Sequence, residues 1–234
     1  MNIRVKYTKT GPVKFISHLD VMRYFQKGIR RAGLDIAYSG GFSPHQIISF
    51  AAPMPLMMTS LGEYFDAEFN SVTTAKEMVE SFNAVGSPFM QMVDAVILPD
   101  KAEKAMALVS ASDYKITFHS DVIESVDFDK LRETISEMIA SEEILALKKT
   151  KKSENYVNIR GSIRELSLTE NREIYMLLNA GSVDNLKPEL VMEVISERMG
   201  LGLTRFGYDL ERIETYLTKE DGSLASLLSE GQPF

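Results

Sequence analysis

Two of the three histidines stand where a side chain can act as a general base. His18 follows Ser17 at the predicted start of a helix, on the apolar face that turns toward the sheet. His45 follows the loop sequence Gly40-Gly41-Phe42-Ser43-Pro44, and exposed loops are where binding residues concentrate. Imidazole titrates near neutral pH, so His18 and His45 are the candidate catalytic residues. The alternatives are that His18 packs over the sheet edge and that His45 caps a turn.

A stripe of basic side chains follows one face of the same predicted helix. At 100° per residue, Val21, Phe25 and Ile29 share the face that is directed toward the core. A stripe of cations suits phosphates, because each cation that contacts a phosphate releases counterions. The alternative is an ordinary solvated helix face. The basic stripe consists of Arg23, Lys27, Arg30 and Arg31, at spacing i, i+4, i+7 and i+8.

A second basic cluster lies further along the chain. Residues 144–149 and 156–159 are predicted to form a strand pair around a Lys-rich turn. A basic hairpin can clamp RNA, and Tyr156 beside it can stack on a base. The alternative is a cluster that only raises solubility. The cations of this predicted nucleic-acid-binding cluster are Lys148, Lys149, Lys151, Lys152 and Arg160.

The elements that position these residues follow one order twice. The first residues alternate as a half-buried strand, and a helix follows between an N-cap at Ser17 and a stop at Gly33. Two short strands that count as one arm with the loop between them, a longer strand, a helix and a further strand complete the order β-α-β-β-α-β, which is ferredoxin-like. The same order recurs in the second half of the chain. We therefore expect an α+β protein with two tandem ferredoxin-like units, residues 1–100 and 110–234.

Composition excludes several classes of protein. The chain has no cysteine, which excludes disulfides, zinc–thiolate sites, iron–sulfur clusters and thiol nucleophiles. No apolar run approaches the ~20 residues that span a bilayer, and the N-terminal sequence lacks the apolar segment of a secretory signal. We therefore expect a cytoplasmic protein that does not enter membranes and that carries no metal and no other cofactor.

The net charge of −7 is distributed unevenly along the sequence. The first 50 residues hold eight Lys or Arg and two acids, a charge of +6. The remaining 184 residues hold 18 Lys or Arg and 31 acids, a charge of −13. The basic segment favours a polyanionic partner such as RNA. The alternative is that acidic residues further along the chain neutralise this segment in the folded protein.

Several short motifs in the first 70 residues resemble a known family. They are Lys14-Phe15-Ile16-Ser17-His18-Leu19-Asp20, Arg30-Arg31-Ala32-Gly33-Leu34, Tyr38-Ser39, Gly41-Phe42-Ser43-Pro44-His45, Ile48-Ser49-Phe50-Ala51 and Gly62-Glu63-Tyr64. They resemble the radical-SAM-linked protein family, a bacterial family without an established activity. Its members are C-terminal extensions of radical SAM proteins or separate small proteins, often encoded near genes for ribosomal proteins and an RNase. The resemblance implies a radical SAM protein as partner and an RNA context. Because it has no cysteine, this chain is not itself the radical SAM enzyme.

These patterns predict three alternative functions. The first is an RNA-binding or substrate-presenting accessory to a radical SAM enzyme that acts on structured RNA. The second is a metal-independent RNA-processing endonuclease with His18 or His45 as general base, since RNA-processing endonucleases of CRISPR systems are similar in having tandem ferredoxin-like units. The third is a protein–protein adaptor that binds the radical SAM module through Met54-Pro55-Leu56-Met57-Met58, a segment that can equally belong to the core.

Overall fold

The computed structural model describes residues 1–149 and 154–234. Eleven strands and six α-helices lie within these ranges, so the protein is α+β, as predicted. In this part of the chain no helix is both long enough and apolar enough to cross a membrane.

Contacts between residues divide the chain into two compact units. Unit 1 comprises residues 1–110 and 212–234, and unit 2 comprises residues 111–211. The predicted second unit extended to the last residue of the chain. The structure differs because residues 212–234 pack within unit 1.

Unit 1 begins with the predicted order β-α-β-β-α-β. These strands pair antiparallel. The first strand lies between the third and the fourth, and the second strand pairs with the third. The predicted strand at residues 36–38 is reduced to two isolated bridges, Ile36 to Phe69 and Tyr38 to Gln46. The elements are β1 (Asn2–Lys9), α1 (His18–Arg31), β2 (Ile48–Phe50), β3 (Met58–Glu68), α2 (Ala75–Val85), β4 (Met92–Ile97) and α3 (Ala105–Leu108).

Helix α1 begins and ends where its sequence predicts. The Ser17 hydroxyl accepts a hydrogen bond from the Asp20 N–H at 3.3 Å, which satisfies one backbone donor of the first turn. Gly33, with φ of +69°, follows the last turn. The apolar face packs on the core of unit 1, as predicted. The buried residues of α1 are Val21, Phe25, Gly28 and Ile29.

Unit 2 has a similar element order with an additional hairpin. The first strand of unit 2 pairs antiparallel with the strand that precedes its last helix. That strand also pairs antiparallel with the strand directly before it in the sequence. The hairpin is a separate two-stranded sheet. The elements are β5 (Ala111–Phe118), α4 (Ser120–Ile123), α5 (Phe128–Ala140), the hairpin β6 (Leu145–Lys149) and β7 (Glu154–Asn158), β8 (Ile163–Leu168), β9 (Ile174–Asn179), α6 (Pro188–Met199) and the first residues of β10 (Tyr208–Thr218).

The C-terminal residues belong to unit 1. There the later residues of β10 pair antiparallel with β11 (Leu224–Ser226). Arg4 of β1 holds this segment, because its Nη1 donates to the Leu227 carbonyl at 3.2 Å. The same guanidinium donates to the Glu103 carbonyl at 2.9 Å. One buried side chain therefore ties β1 to two segments that are distant in sequence.

Candidate nucleic-acid interface

The basic stripe of α1 is exposed along its whole length, as the helical spacing predicts. Arg23 forms an ion pair with Asp20, with Nη1 and Oδ1 3.4 Å apart, and both side chains are more than half exposed. Lys27, Arg30 and Arg31 have no ion-pair partner among the residues that the structure describes. All four cations are therefore open to solvent, and in the described part of the chain Arg23 alone shares its charge with a carboxylate, which is itself exposed.

The cations of β1 are instead used inside unit 1. Arg4 is fully buried and binds Asp66 in a bidentate pair, at 2.7 Å and 3.1 Å. Lys6 forms an ion pair with Glu214. Acidic residues from later in the chain thus neutralise β1, as the second interpretation of the charge distribution predicted. They do not neutralise the basic stripe of α1 in the same way.

Ionisable side chains are also buried on the face of the sheet that packs against α1. Lys9 is buried, and its ammonium donates to the Ile16 carbonyl at 3.4 Å. Glu63 accepts a hydrogen bond from Arg212 Nη1 at 2.7 Å, and both side chains are buried. Burial lowers the pKa of Lys9 and raises the pKa of Glu63, while the charges of Arg212 and Lys9 oppose the shift of Glu63.

His18 is the first residue of α1, as predicted, and is half-buried. Its ring contacts Phe50 edge-on, with 5.5 Å between the ring centroids. Burial and then the positive charge of Lys9 lower the pKa of His18 below its ordinary value. The imidazole is therefore neutral at pH 7 and able to accept a proton, although it also packs on β2 as the structural alternative predicted.

His45 is exposed and closes a turn. Its backbone N–H donates to the Ser39 hydroxyl at 3.1 Å, and its Nδ1 lies 2.9 Å from the same oxygen. His45 also lines a cleft of about 390 Å³, together with Asp66 and Lys104. His18 does not line this cleft, so the structure does not bring the two candidate catalytic residues together there.

The predicted strand pair of unit 2 forms as β6 and β7. Lys148 on β6 and Tyr156 on β7 are exposed, and Tyr156 is 68% exposed. Lys149 is the last residue of β6. Lys151 and Lys152 lie outside the described residues. In the described part of the hairpin, the exposed cation is therefore Lys148 and the exposed aromatic ring is that of Tyr156.

Arg160 makes contacts that the sequence pattern does not predict. Its guanidinium donates twice to the Ile139 carbonyl, at 3.0 Å and 3.3 Å, and once to the Ile163 carbonyl at 3.1 Å. Ile139 lies in the last turn of α5, where backbone carbonyls have no partner within the helix. Arg160 therefore caps the end of α5 in the folded protein, and its predicted contact with phosphate stays a prediction.

Large apolar side chains are exposed beside the start of α1. The Met57 N–H donates to the Lys14 carbonyl at 2.7 Å, which places the segment 54–58 next to the turn before α1. Met54 and Met58 are buried, so the segment is core at those two positions. The exposed apolar residues of this region are Phe15 and Leu19, each 61% exposed, and Leu56, 55% exposed.

The alternation in β1 indicates that Lys9 is buried, but no local pattern indicates which side chains surround Lys9 in the folded protein. Lys9 follows Ile3, Val5 and Tyr7 in alternation, on the face of β1 that is buried. A lysine in that phase indicates a buried charge, which is costly without compensation. Arg212 lies 149 residues from its partner Glu63, and no local pattern predicts a pair at that separation.

The family follows from a comparison with known proteins. The profile of a bacterial family, described as "Uncharacterized protein conserved in bacteria (DUF2344)", matches residues 2–188. The protein belongs to the DUF2344 family. No curated protein matches this DUF2344 chain. The association with radical SAM proteins stays a prediction.

Two solved structures give distant likenesses. The DUF2344 chain is similar to a chain of a Cbf5-Nop10-Gar1 complex, with 12% identity and a TM-score of 0.47 over 91% of this chain and 48% of that one. It is also similar to a chain of a heavy metal efflux pump, with 10% identity and a TM-score of 0.25 over 93% of this chain and 28% of that one. This chain therefore spans less than half the length of either. Neither likeness bears on function at these values.

Proposed function

We propose that this DUF2344 protein binds structured RNA through the basic stripe of α1 and presents it to a radical SAM enzyme. The observation that carries the proposal is the exposure of all four cations, with one of them in an ion pair. An exposed and unpaired cation keeps its full charge for a phosphate and releases counterions when it binds. Guanidinium groups add bidentate hydrogen bonds to phosphate oxygens, and three of the four cations are arginines.

Unit 2 contributes a second, smaller set of contacts in this proposal. Exposed Lys148 supplies a charge and exposed Tyr156 supplies a ring on which a base can stack. The proposal does not include Arg160, whose donors are bound to backbone carbonyls.

The two units are interpreted as tandem ferredoxin-like folds. In unit 1 the strand order β4-β1-β3 with β2 on β3 supports this interpretation. In unit 2 the order β5-β9-β8 supports it, with β6–β7 as an insertion. A cytoplasmic location is proposed with it, since the partner and the RNA would be found there.

The radical SAM partner rests on the motif resemblance and on one structural feature. Phe15, Leu19 and Leu56 are exposed apolar side chains near the start of α1, and exposed apolar patches mark contact sites for proteins. This also favours the adaptor function, with Leu56 kept from the segment 54–58 and with Phe15 and Leu19 added to it. Substitution of Leu19 and Leu56 by glutamate would abolish pull-down of the radical SAM protein, whereas retained capture would remove this group from the interface.

The RNA proposal is tested by affinity for bulk tRNA and rRNA at moderate salt. The test variant is Lys27→Glu/Arg30→Glu/Arg31→Glu. The control is Lys76→Glu/Arg132→Glu/Lys219→Glu, which changes the net charge equally at exposed positions elsewhere. We expect the test variant to bind at least about 10-fold more weakly, since it loses several charge-assisted contacts, while the control stays near wild type. No binding by the wild type, or equal loss in both variants, would refute the proposal.

Ribonuclease activity is the second candidate function. It is favoured by the neutral imidazole of half-buried His18 at pH 7. Cleavage of RNA would persist in EDTA and would disappear in His18→Ala or in His45→Ala. RNA that stays intact after long incubation with the wild type would exclude this function.

A further inference from the structure

The loop before β2 presents an aromatic side chain to solvent. Phe42 is fully exposed at the tip of this loop, between Gly41, which has φ of +98°, and Ser43. A fully exposed phenylalanine gains none of the free energy that burial of an apolar side chain normally contributes to folding. The ring is therefore available to a flat ligand surface.

The base of the loop is held in place. The Ser39 N–H donates to the His45 carbonyl at 2.8 Å, and the Ser39 hydroxyl lies 2.9 Å from His45 Nδ1. Tyr38 and Gln46, which flank the loop on its two sides, form the next bridge. A fixed base lowers the entropy that the loop loses when it binds a ligand. His45 thus serves to shape the 39–45 loop.

The same loop is attached to the helix that carries the basic stripe. The Gln46 side-chain amide donates to the Gln26 carbonyl of α1 at 3.1 Å. Gln26 lies three residues after Arg23 and four before Arg30, which are the distances that make neighbours on a helix surface. The loop and two of the stripe cations therefore belong to one surface of unit 1.

We infer that this surface binds an unpaired nucleotide, with its phosphates on Arg23 and Arg30 and its base stacked on Phe42. Stacking needs an accessible base face, and a base inside a duplex has both faces covered by its neighbours. Single strands, loops and bulges offer that face. Stacking on a phenylalanine is tolerant of sequence, because every base has a π-face. The inference deepens the proposed function and rests on it.

The test uses fluorescence anisotropy with a labelled single-stranded RNA of about twelve nucleotides without self-complementarity, and with the same strand annealed to its complement. The variants are Phe42→Ala and Phe42→Trp. Val183→Ala is the control, because Val183 is also fully exposed but lies in a loop of unit 2. We expect Phe42→Ala to weaken binding of the single strand by about 5- to 100-fold and to leave duplex binding unchanged. Phe42→Trp and Val183→Ala should bind both RNAs like the wild type.

The outcomes separate this inference from the proposed function. If Phe42→Ala binds the single strand like the wild type while the triple α1 variant binds neither RNA, the inference is overturned and the proposed function stands. Loss of radical SAM protein capture by Phe42→Ala without loss of RNA affinity would overturn it in favour of a protein contact. If the wild type binds neither RNA, both fail.

Discussion

Strand β1 and helix α1 are similarly rich in cations, but the fold uses the two sets in opposite ways. Arg4 and Lys6 of β1 are held in ion pairs by acidic residues from later in the chain. Lys27 and Arg30 of α1 are exposed to solvent. The charge of +6 in the first 50 residues is therefore a sum of a structural part and a part that is available to a ligand.

The comparison shows that partners, and not charge count, decide what a cation does. Alternation in β1 places Arg4 and Lys6 on the face away from the apolar core, which alone would suggest solvent exposure. That face is covered by segments around Asp66 and Leu227. On α1 the helical period alone predicts the exposure correctly.

The largest expected effect is on the free energy of unfolding, when a buried cation of β1 is removed. Arg4→Met leaves the Asp66 carboxylate without its buried guanidinium, so the free energy of unfolding should fall by about 3–5 kcal/mol. Urea denaturation measures the loss, and RNA affinity at a temperature where the variant is folded should not change. Replacing Asp66 by leucine as well should recover part of the stability. If Arg4→Met had normal stability but bound RNA poorly, the division between structural cations in β1 and ligand-binding cations in α1 would be wrong.

A smaller effect is expected on the ligand-binding side. Arg30→Glu should weaken RNA binding by about 10-fold, because one charge-assisted contact is replaced by repulsion. Its stability should stay within about 0.5 kcal/mol of wild type, as for other exposed helix positions. Lys76→Glu on α2 is the matched control, and an equal loss there would assign the effect to net charge.

Asp20 offers a finer test of the same idea. It pairs with Arg23 and partly neutralises that end of the stripe. Asp20→Asn should release Arg23 and strengthen RNA binding by about twofold, which titration at low salt can resolve. Weaker binding by Asp20→Asn would show that the ion pair positions Arg23 for the phosphate.

The smallest expected effect is on the pH dependence of stability. It concerns His18 at the start of α1, which feels the charge of Lys9 at the end of β1. The pKa of His18 is lowered in the folded protein, so the unfolded chain takes up the proton first as the pH falls. The stabilising contribution is present above the ordinary histidine pKa and is lost as the pH falls from there through the lowered pKa of the folded protein. Between about pH 7.5 and about 5.5 the wild type should lose more stability than His18→Asn. Parallel urea curves for the two proteins would contradict this.

Local sequence signals predict the positions that local physics controls. The Ser17 cap, the core face of α1, the basic stripe and the β6–β7 strand pair all follow from periodicity and turn residues. The carbonyl partners of Arg160 could not be predicted, because α5 presents them only after it folds. The return of residues 212–234 to unit 1 depends on Arg4 and on Arg212 with Glu63, pairs that join distant segments. The exposed Phe42 was not predicted as a binding residue, because exposure depends on the loop's surroundings.

The central claim is that the basic stripe of α1 contacts RNA phosphates. The most direct test is the dependence of RNA affinity on salt concentration, for the wild type and for Lys27→Glu/Arg30→Glu/Arg31→Glu. Each lost phosphate contact reduces the slope of log affinity against log salt by about 0.7 to 0.9. We predict a slope shallower by about two to three in the variant, with the triple control at Lys76, Arg132 and Lys219 parallel to wild type. Equal slopes for wild type and the α1 variant would contradict the account.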